Sequence, residues 1–278
     1  MPSTAQTTPA PLAGGFCFGE GPRWSEGLLW FSDMLGEAIH TVDLQGSMTT
    51  VPLPGHSPSG LGFRPDGTLL IASTADRRVL SYDGDTVTTL VDLSDRVPAD
   101  LGDMVIDAAG RCYVGSQAYT GGVIVRIDPD GTIHTVASDL DFPNGMVITP
   151  DGASLIVAES MGRRLTRYTI DADGGLGERR VFADGLDGPP DGITLDAAGG
   201  IWTSMTLANQ FERITSGGTV TDRIETGGRA AIACTLGGPQ RRTLFLLSST
   251  GAYPKRLIGT RDSRLDTVTV EIPGAGLP

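Results

Sequence analysis

The chain has 278 residues, among them 39 glycines and 18 prolines, and a formal net charge of -12. An acidic chain lacks the basic surface that nucleic acid or an anionic membrane requires, which argues against both partners. No apolar run approaches the roughly 18 residues of a membrane span, and the length suits either two ordinary domains or one large closed β architecture.

The chain begins with a segment rich in Ser, Thr, Pro and Ala (1–13) that has neither a basic n-region nor an apolar h-region. We therefore expect a disordered lead-in rather than a signal peptide, followed by one folded domain over 14–278. The three cysteines, Cys17, Cys112 and Cys234, lack the close-paired spacing of a zinc ribbon or a disulfide framework. Buried free thiols and a cytoplasmic location are the expectations that follow.

A sequence motif built around a turn glycine recurs along the rest of the chain. Full copies begin at residues 60, 103, 145 and 192, a shortened copy at 21 and a looser one at 233. The turn glycines lie roughly 40 to 47 residues apart, which is the period expected of propeller blades. Six copies predict six blades.

Each repeat contains short β-rich runs separated by Asp-Gly or Gly-Gly turns, which are strong hairpin signals. In chain order, the predicted strands include 69–73, 78–82, 86–91, 123–127, 132–136, 164–170, 178–182, 211–214 and 219–224. The first strands are apolar on both faces and the last alternate with polar residues, as expected if the first pack between neighbouring blades. We therefore predict an all-β, six-bladed β-propeller with four-stranded antiparallel blades. Residues 268–272 should end the last blade, and a strand around 16–18 should join it.

One residue pair stands before each predicted first strand at the same place in the repeat. The pairs are Glu20-Gly21, Ser59-Gly60, Gly102-Asp103, Asn144-Gly145 and Asp191-Gly192. A propeller gathers equivalent positions around its central channel, so Glu20, Asn144 and Asp191 should converge there. Two carboxylates and an amide are hard oxygen donors that suit Ca²⁺, Mg²⁺ or Mn²⁺ better than Zn²⁺. Because Asn-Gly and Asp-Gly are also ordinary turn pairs, a purely structural role is the alternative.

Several of these residues lie in longer stretches that match a known pattern: Glu20-Gly-Pro-Arg-Trp24, Phe142-Pro-Asn-Gly-Met146, Pro190-Asp-Gly-Ile193 and Cys234-Thr-Leu-Gly-Gly-Pro239. Through them the chain resembles the SMP-30/gluconolactonase/luciferin-regenerating-enzyme family from about residue 19 to 249. The resemblance implies a six-bladed propeller with one divalent cation in its channel. It also implies that Glu20, Asn144 and Asp191 are the metal ligands.

The chain departs from this family in the third repeat. The family's Arg-x-Asn-Asp phrase, whose Arg and Asn contact substrate, corresponds here to Asp100-Leu-Gly-Asp103. Asp100 stands in place of the family's arginine, and Gly102 stands in place of its asparagine. The loss of these two side chains predicts a substrate that is less anionic or less hydroxylated than a sugar lactone. Asp103 is retained, as a general base, as an orienting group or as a structural carboxylate capping the turn.

Further candidate substrate contacts flank the predicted channel mouth. Gln117 and Tyr119 follow the inner hairpin of the third repeat, and His56 shortly precedes the second repeat; a plain loop histidine is the alternative for His56. With Asp100 and Gly102 they form the predicted substrate-binding set. No nucleophile elbow or phosphate-binding loop pattern is present.

The sequence therefore predicts a divalent-metal-dependent hydrolase that opens a lactone. The cation, Ca²⁺ by preference and otherwise Mg²⁺, Mn²⁺ or Zn²⁺, would stabilise the developing oxyanion, and Asp191 or Asp103 would take the proton of the attacking water. The alternatives are a metal-dependent isomerase or lyase acting on another carbonyl compound, and a non-catalytic propeller that binds a small molecule. We expect a monomer or a weak homo-oligomer, since a closed propeller needs no partner to remove sheet edges.

Overall fold

The structure is a computed structural model that describes residues 8–275. These residues form six antiparallel sheets of four strands each, and the helical element among them is one short 3-10 turn, Pro254–Arg256. Within this part of the chain, no helix is long and apolar enough to span a membrane. The predicted all-β architecture is confirmed.

The strands follow one another around the ring in chain order, after an initial strand β1 (Ala10–Phe16). Blade one comprises β2 (Gly19–Ser25), β3 (Leu28–Asp33), β4 (Ala38–Val42) and β5 (Met48–Pro52). Blade two comprises β6 (Pro58–Phe63), β7 (Leu69–Ser73), β8 (Arg78–Tyr82) and β9 (Val87–Asp92). Blade three comprises β10 (Leu101–Ile106), β11 (Cys112–Ser116), β12 (Gly122–Ile127) and β13 (Ile133–Leu140).

The remaining blades repeat this order. Blade four comprises β14 (Pro143–Ile148), β15 (Ser154–Glu159), β16 (Arg164–Ile170) and β17 (Leu176–Ala183). Blade five comprises β18 (Pro190–Leu195), β19 (Ile201–Met205), β20 (Gln210–Ile214) and β21 (Val220–Glu225). Blade six contains β22 (Ala230–Gly237), β23 (Thr243–Ser249) and β24 (Ser263–Thr269).

The first strands of the blades form the inner ring. Each of β2, β6, β10, β14, β18 and β22 contacts the first strand of the next blade, and β22 contacts β2 to close the circle. Residues far apart in sequence are thereby brought around one channel, which confirms the six-bladed propeller.

Blade six is completed by the beginning of the chain, because β1 pairs antiparallel with β24 as its outermost strand. This pairing confirms that a strand near residue 16 joins blade six, and it corrects the bounds expected for three segments. Residues 10–13, expected to belong to a disordered lead-in, form part of β1, whereas residues 1–7 lie outside the described residues. The strand expected around 16–18 ends at Phe16, and the strand expected to reach residue 272 ends at Thr269. Joining the two ends of the chain in one sheet closes the ring with backbone hydrogen bonds.

The core consists of six apolar clusters, each lying between two adjacent blades. In the cluster between blades two and three, for example, Leu70 packs with Met104 and Cys112. The first and second strands bury both faces, which explains their lack of polar alternation. Cys112 and Cys234 are buried free thiols, as expected, whereas Cys17 is partly exposed.

One charged group is fully buried inside blade four. The Glu159 carboxylate accepts hydrogen bonds from the guanidinium groups of Arg164 and Arg179, the Thr166 hydroxyl and the Asp141 backbone N–H. Although burial alone would raise it, the pKa of Glu159 falls to about 2 because of these donors, led by Arg164. Glu159 thus ties β15, β16 and β17 together.

Candidate metal centre and active site

The predicted pairs before the first strands coincide with irregularities in strand pairing. Register shifts occur between Glu20 and Arg23 in blade one, and over 58–61, 101–104, 143–146 and 190–193 in blades two to five. A bulge of this kind leaves a residue unpaired and re-aims its side chain. The repeat therefore uses the same backbone device in five blades to direct side chains around the channel.

Glycine follows the polar residue of most pairs because neighbouring first strands touch backbone to backbone. A Cβ atom on Gly145 would lie 2.4 Å from the Asp191 carbonyl oxygen and 2.7 Å from the Ile193 nitrogen. Both of these atoms belong to backbone, so neither can swing away. The absence of a side chain at Gly145 lets Asn144 and Asp191 approach each other.

Replacing this glycine is expected to damage fold and site together. Gly145→Ala should lower the free energy of unfolding by about 1–3 kcal/mol, because the added methyl group forces blades four and five apart. It should also weaken cation binding, since the ligands on both sides move. Denaturant unfolding and calorimetric cation titration measure the two effects.

Gly152→Ala is the matched control for that change. Gly152 lies in a turn with φ of 68° and nothing within 4 Å of an added Cβ atom. It should cost some stability through backbone strain yet leave cation affinity unchanged. Equal loss of cation affinity in both variants would contradict the close-approach argument.

The carboxylates of Glu20, Asp103 and Asp191 lie close enough to interact electrostatically, and the Asn144 amide hydrogen-bonds to Asp191. Burial and the neighbouring charges of Asp191 and Asp103 raise the pKa of Glu20 well above its usual range. Burial and the charge of Asp103 raise the pKa of Asp191 to about 8, although the Asn144 amide opposes part of this rise. Glu20 and Asp191 are therefore costly to ionise, and Arg23 offsets this only in part at Glu20.

The Asn144 amide is held by a chain of hydrogen bonds. The Gln117 Nε2 donates to Asn144 Oδ1 at 3.2 Å, and Asn144 Nδ2 donates to Ser160 Oγ at 3.3 Å. The Ser160 hydroxyl in turn donates to the Pro190 carbonyl oxygen at 2.6 Å, immediately before Asp191. This chain fixes the amide plane and links blades three, four and five.

An arginine inside the centre was missed as a functional residue by the sequence argument. The Arg23 Nη2 lies 2.9 Å from Asp103 Oδ1, and both side chains are less than 10% exposed. The Met104 backbone N–H also donates to Asp103 Oδ1. The sequence did contain a signal for this pair. Arg23 is a charged residue within a strand predicted to be buried, and a buried charge requires a partner of opposite charge.

Glu20, Asn144 and Asp191 suit a hard divalent cation chemically. They supply two carboxylates and one amide oxygen, and the positive charge of Arg23 is already paired with Asp103. Over residues 8–275, no three His, Cys, Asp or Glu side chains form a group that could hold a metal ion. A bound cation would balance the two carboxylates whose pKa values are raised.

Gln117 also occupies the space beside Gly102. A Cβ atom on Gly102 would lie 2.3 Å from Gln117 Nε2, so the glycine leaves room for the Gln117 side chain to reach Asn144. Gly102 is buried. Its predicted contact with substrate stays a prediction, and the structure gives it a packing role.

The other predicted substrate residues lie in separate surroundings. Asp100 is about half exposed and faces Arg77, with Oδ1 3.7 Å from Nε. His56 Nδ1 lies 3.2 Å from Ser73 Oγ and 3.0 Å from Asp76 Oδ2. Neither Asp100 nor His56 has a hydrogen bond to the four polar side chains of the centre in the described residues. Tyr119 is 69% exposed, and its ring contacts that of Phe142.

Known proteins share this sequence pattern and fold. The model of the family described as SMP-30/Gluconolactonase/LRE-like region matches residues 18–250. Pentonolactonase XacC of Haloferax volcanii is 29% identical over 242 residues, covering 84% of this chain and 82% of that protein. The 6-deoxy-6-sulfogluconolactonase of Pseudomonas putida is 30% identical over 242 residues, covering 83% of each. A solved structure described as the calcium-binding protein regucalcin, from Agrobacterium tumefaciens, has a TM-score of 0.81, 24% identity and coverage of 97% of both chains.

Proposed function

The chain belongs to the SMP-30/gluconolactonase/LRE-like family, and on this premise we propose that it is a divalent-metal-dependent hydrolase that opens a lactone. The observation that carries the proposal is the convergence of Glu20, Asn144 and Asp191 at the channel, with the pKa values of both carboxylates raised. The two relatives described above are lactonases, which supports this reaction class.

Each polar residue has a role in this reaction. Glu20, Asn144 and Asp191 would hold the cation, for which Ca²⁺ is our first choice because all three donors are oxygen atoms. When bound, the cation would polarise the lactone carbonyl and offset the negative charge that develops on its oxygen. Gln117 and Ser160 keep the Asn144 amide oriented.

The proton of the attacking water passes to a carboxylate, Asp191 or Asp103. Both hydrogen bonds to the Asp103 carboxylate reach Oδ1, so Oδ2 keeps its capacity to accept a proton. Arg23 balances the charge of Asp103 and holds it in place. The acyl C–O bond of the ring then breaks, the same carboxyl group returns the proton to the leaving ring oxygen, and the product is a hydroxy acid.

We further propose that typical sugar lactones are not the preferred substrates. Asp100 stands where the family's substrate-binding arginine would be, and Arg77 is its nearest cationic partner. Gly102 provides no amide, and the neighbouring Gln117 amide is engaged with Asn144. Fewer free donors at the mouth favour a substrate with fewer hydroxyl groups.

The test is lactone hydrolysis followed by proton release. Metal-stripped protein should be inactive, and added Ca²⁺, Mg²⁺, Mn²⁺ or Zn²⁺ should restore turnover to different degrees. Among lactones, turnover should be faster for apolar rings than for sugar lactones. Activity that survives complete removal of metal would contradict the cation's role, and absence of turnover with every lactone and cation would contradict the reaction.

A further inference from the structure

Three apolar side chains lie on loops at the end of the propeller that carries Asn144. Tyr119 is 69% exposed, Met161 is 46% exposed and Phe142 is partly buried. The rings of Tyr119 and Phe142 lie edge to face, with centroids 5.5 Å apart. We call Tyr119, Phe142 and Met161 the rim patch.

Backbone hydrogen bonds hold the rim patch together across blades three and four. The Phe142 N–H donates to the Ala118 carbonyl oxygen at 2.9 Å, which joins the Phe142 segment to the loop carrying Tyr119. The Met161 N–H donates to the Asp141 carbonyl oxygen at 3.1 Å. These backbone bonds join the loops that carry the three side chains.

Strand pairing places this surface at the mouth of the channel. Leu101, at the start of β10, pairs with Ser116 at the end of β11, and Pro143 pairs likewise with Glu159. The loops after Ser116 and Glu159 therefore lie at the end of the propeller where the first strands begin. This is the end that carries Asn144.

The backbone at Phe142 has a strained conformation, and this conformation positions the Phe142 ring in the rim patch. Its φ is 62°, in the left-handed region that bulky residues rarely adopt. Strain of this kind is concentrated at active sites and ligand clamps, where the surrounding structure maintains it. Phe142 stands two residues before Asn144, so the turn that directs the amide also positions the aromatic ring.

We propose that the rim patch is a subsite for an alkyl or aryl substituent on the lactone ring. This inference rests on the proposed function and adds a substrate class to it. An apolar substituent would cover aromatic and thioether surface that is otherwise exposed to water. Tyr119 was predicted from sequence as a substrate contact; Phe142 and Met161 extend that contact into a surface that recognises the part of the substrate that does not react.

The experiment compares γ-butyrolactone with γ-nonalactone, which carries a five-carbon chain on the same ring. The wild-type protein should have the higher kcat/KM for γ-nonalactone. Tyr119→Ala should raise the ratio of KM for γ-nonalactone to KM for γ-butyrolactone about tenfold, because the variant loses the apolar contact with the five-carbon chain. Leu44→Ala is the control, because Leu44 is also an exposed apolar side chain but lies in the turn between β4 and β5, at the opposite end of the propeller.

The outcomes separate this inference from the proposed function. If γ-butyrolactone and γ-nonalactone are hydrolysed with equal kcat/KM, or Leu44→Ala matches Tyr119→Ala, the subsite is wrong while lactone hydrolysis stands. If neither lactone is hydrolysed, calorimetric binding of γ-nonalactone to wild type and Tyr119→Ala decides the subsite alone: weaker binding to the variant supports it, and equal or absent binding overturns it. A wild-type dimer that Tyr119→Ala converts to monomer, seen by light scattering, would make the patch a contact between two copies and overturn the proposal.

Discussion

Asp191→Asn is expected to abolish cation-dependent lactone hydrolysis, lowering kcat/KM by more than about 10³-fold. The change keeps the shape of the side chain but replaces a carboxylate ligand by a neutral amide, leaving Glu20 as the one carboxylate among the three proposed ligands. Calorimetric titration should show that affinity for Ca²⁺ is lost together with activity. Full activity in the variant would contradict the assignment of Asp191.

The stability of the same variant provides a second measurement. Burial and the charge of Asp103 raise the pKa of Asp191 to about 8. Ionising this carboxylate therefore lowers the stability of the metal-free protein. Metal-free Asp191→Asn should therefore unfold at a temperature no lower than that of the metal-free wild type. Adding Ca²⁺ should raise the melting temperature of the wild type but not that of the variant, because only a bound ligand stabilises the folded state.

Asp187→Asn is the matched control for Asp191→Asn. Asp187 lies four residues earlier, in the loop before β18, and its side chain is 70% exposed. The same chemical change at Asp187 should leave activity, Ca²⁺ affinity and melting temperature unchanged. A comparable loss in both variants would point to a general effect of charge rather than to a ligand.

Glu159→Gln is expected to lower the free energy of unfolding by about 3 kcal/mol at neutral pH. The glutamine removes the charge that Arg164 and Arg179 surround, and leaves these cations without their buried partner. Denaturant unfolding measures the loss. Glu178→Gln is the control, since Glu178 and Arg180 form an exposed pair on β17 of the same blade, where the same change should have little or no effect.

The contribution of Glu159 should depend on pH with a defined sign. Its pKa is lowered from 4.5 to about 2 in the folded state. A carboxylate with a depressed pKa stabilises the fold above its unfolded pKa, and this stabilisation is lost as pH falls. The difference between wild type and Glu159→Gln should therefore be constant above about pH 5 and shrink between pH 4.5 and 2. A difference that does not change over this range would contradict the ion-pair explanation.

Much of the blade architecture could be predicted from local sequence signals. The predicted strands 69–73, 78–82 and 164–170 coincide with β7, β8 and β16, because Asp-Gly and Gly-Gly turns bound β-rich runs clearly. The closing strand was harder to predict. Residues 10–13 are Ala-Pro-Leu-Ala, which carry no alternating strand pattern, and β1 forms because β24 offers an unpaired edge that no local pattern reveals.

The residues of the candidate centre were predictable where they occupy equivalent positions in the sequence repeat. Glu20, Asn144 and Asp191 occupy equivalent places in the repeat, and a closed ring brings equivalent places together. Contacts between unlike positions could not be predicted in this way. Arg23 reaches Asp103 two blades away, and Gln117 fills the space left by Gly102.

The sequence by itself therefore determined the number of blades, the strand pattern and the three oxygen ligands proposed for the cation, because these follow from periodicity and from turn chemistry. The tertiary structure alone decided how the ring closes, which charge balances Asp103, how the Asn144 amide is oriented and where Tyr119 meets Phe142. The physical reason is that hairpins arise from neighbours in sequence, whereas charge pairing, side-chain orientation and aromatic contact depend on distances between blades. Those distances are set only when the first strands pack backbone to backbone, as at Gly145 and Asp191.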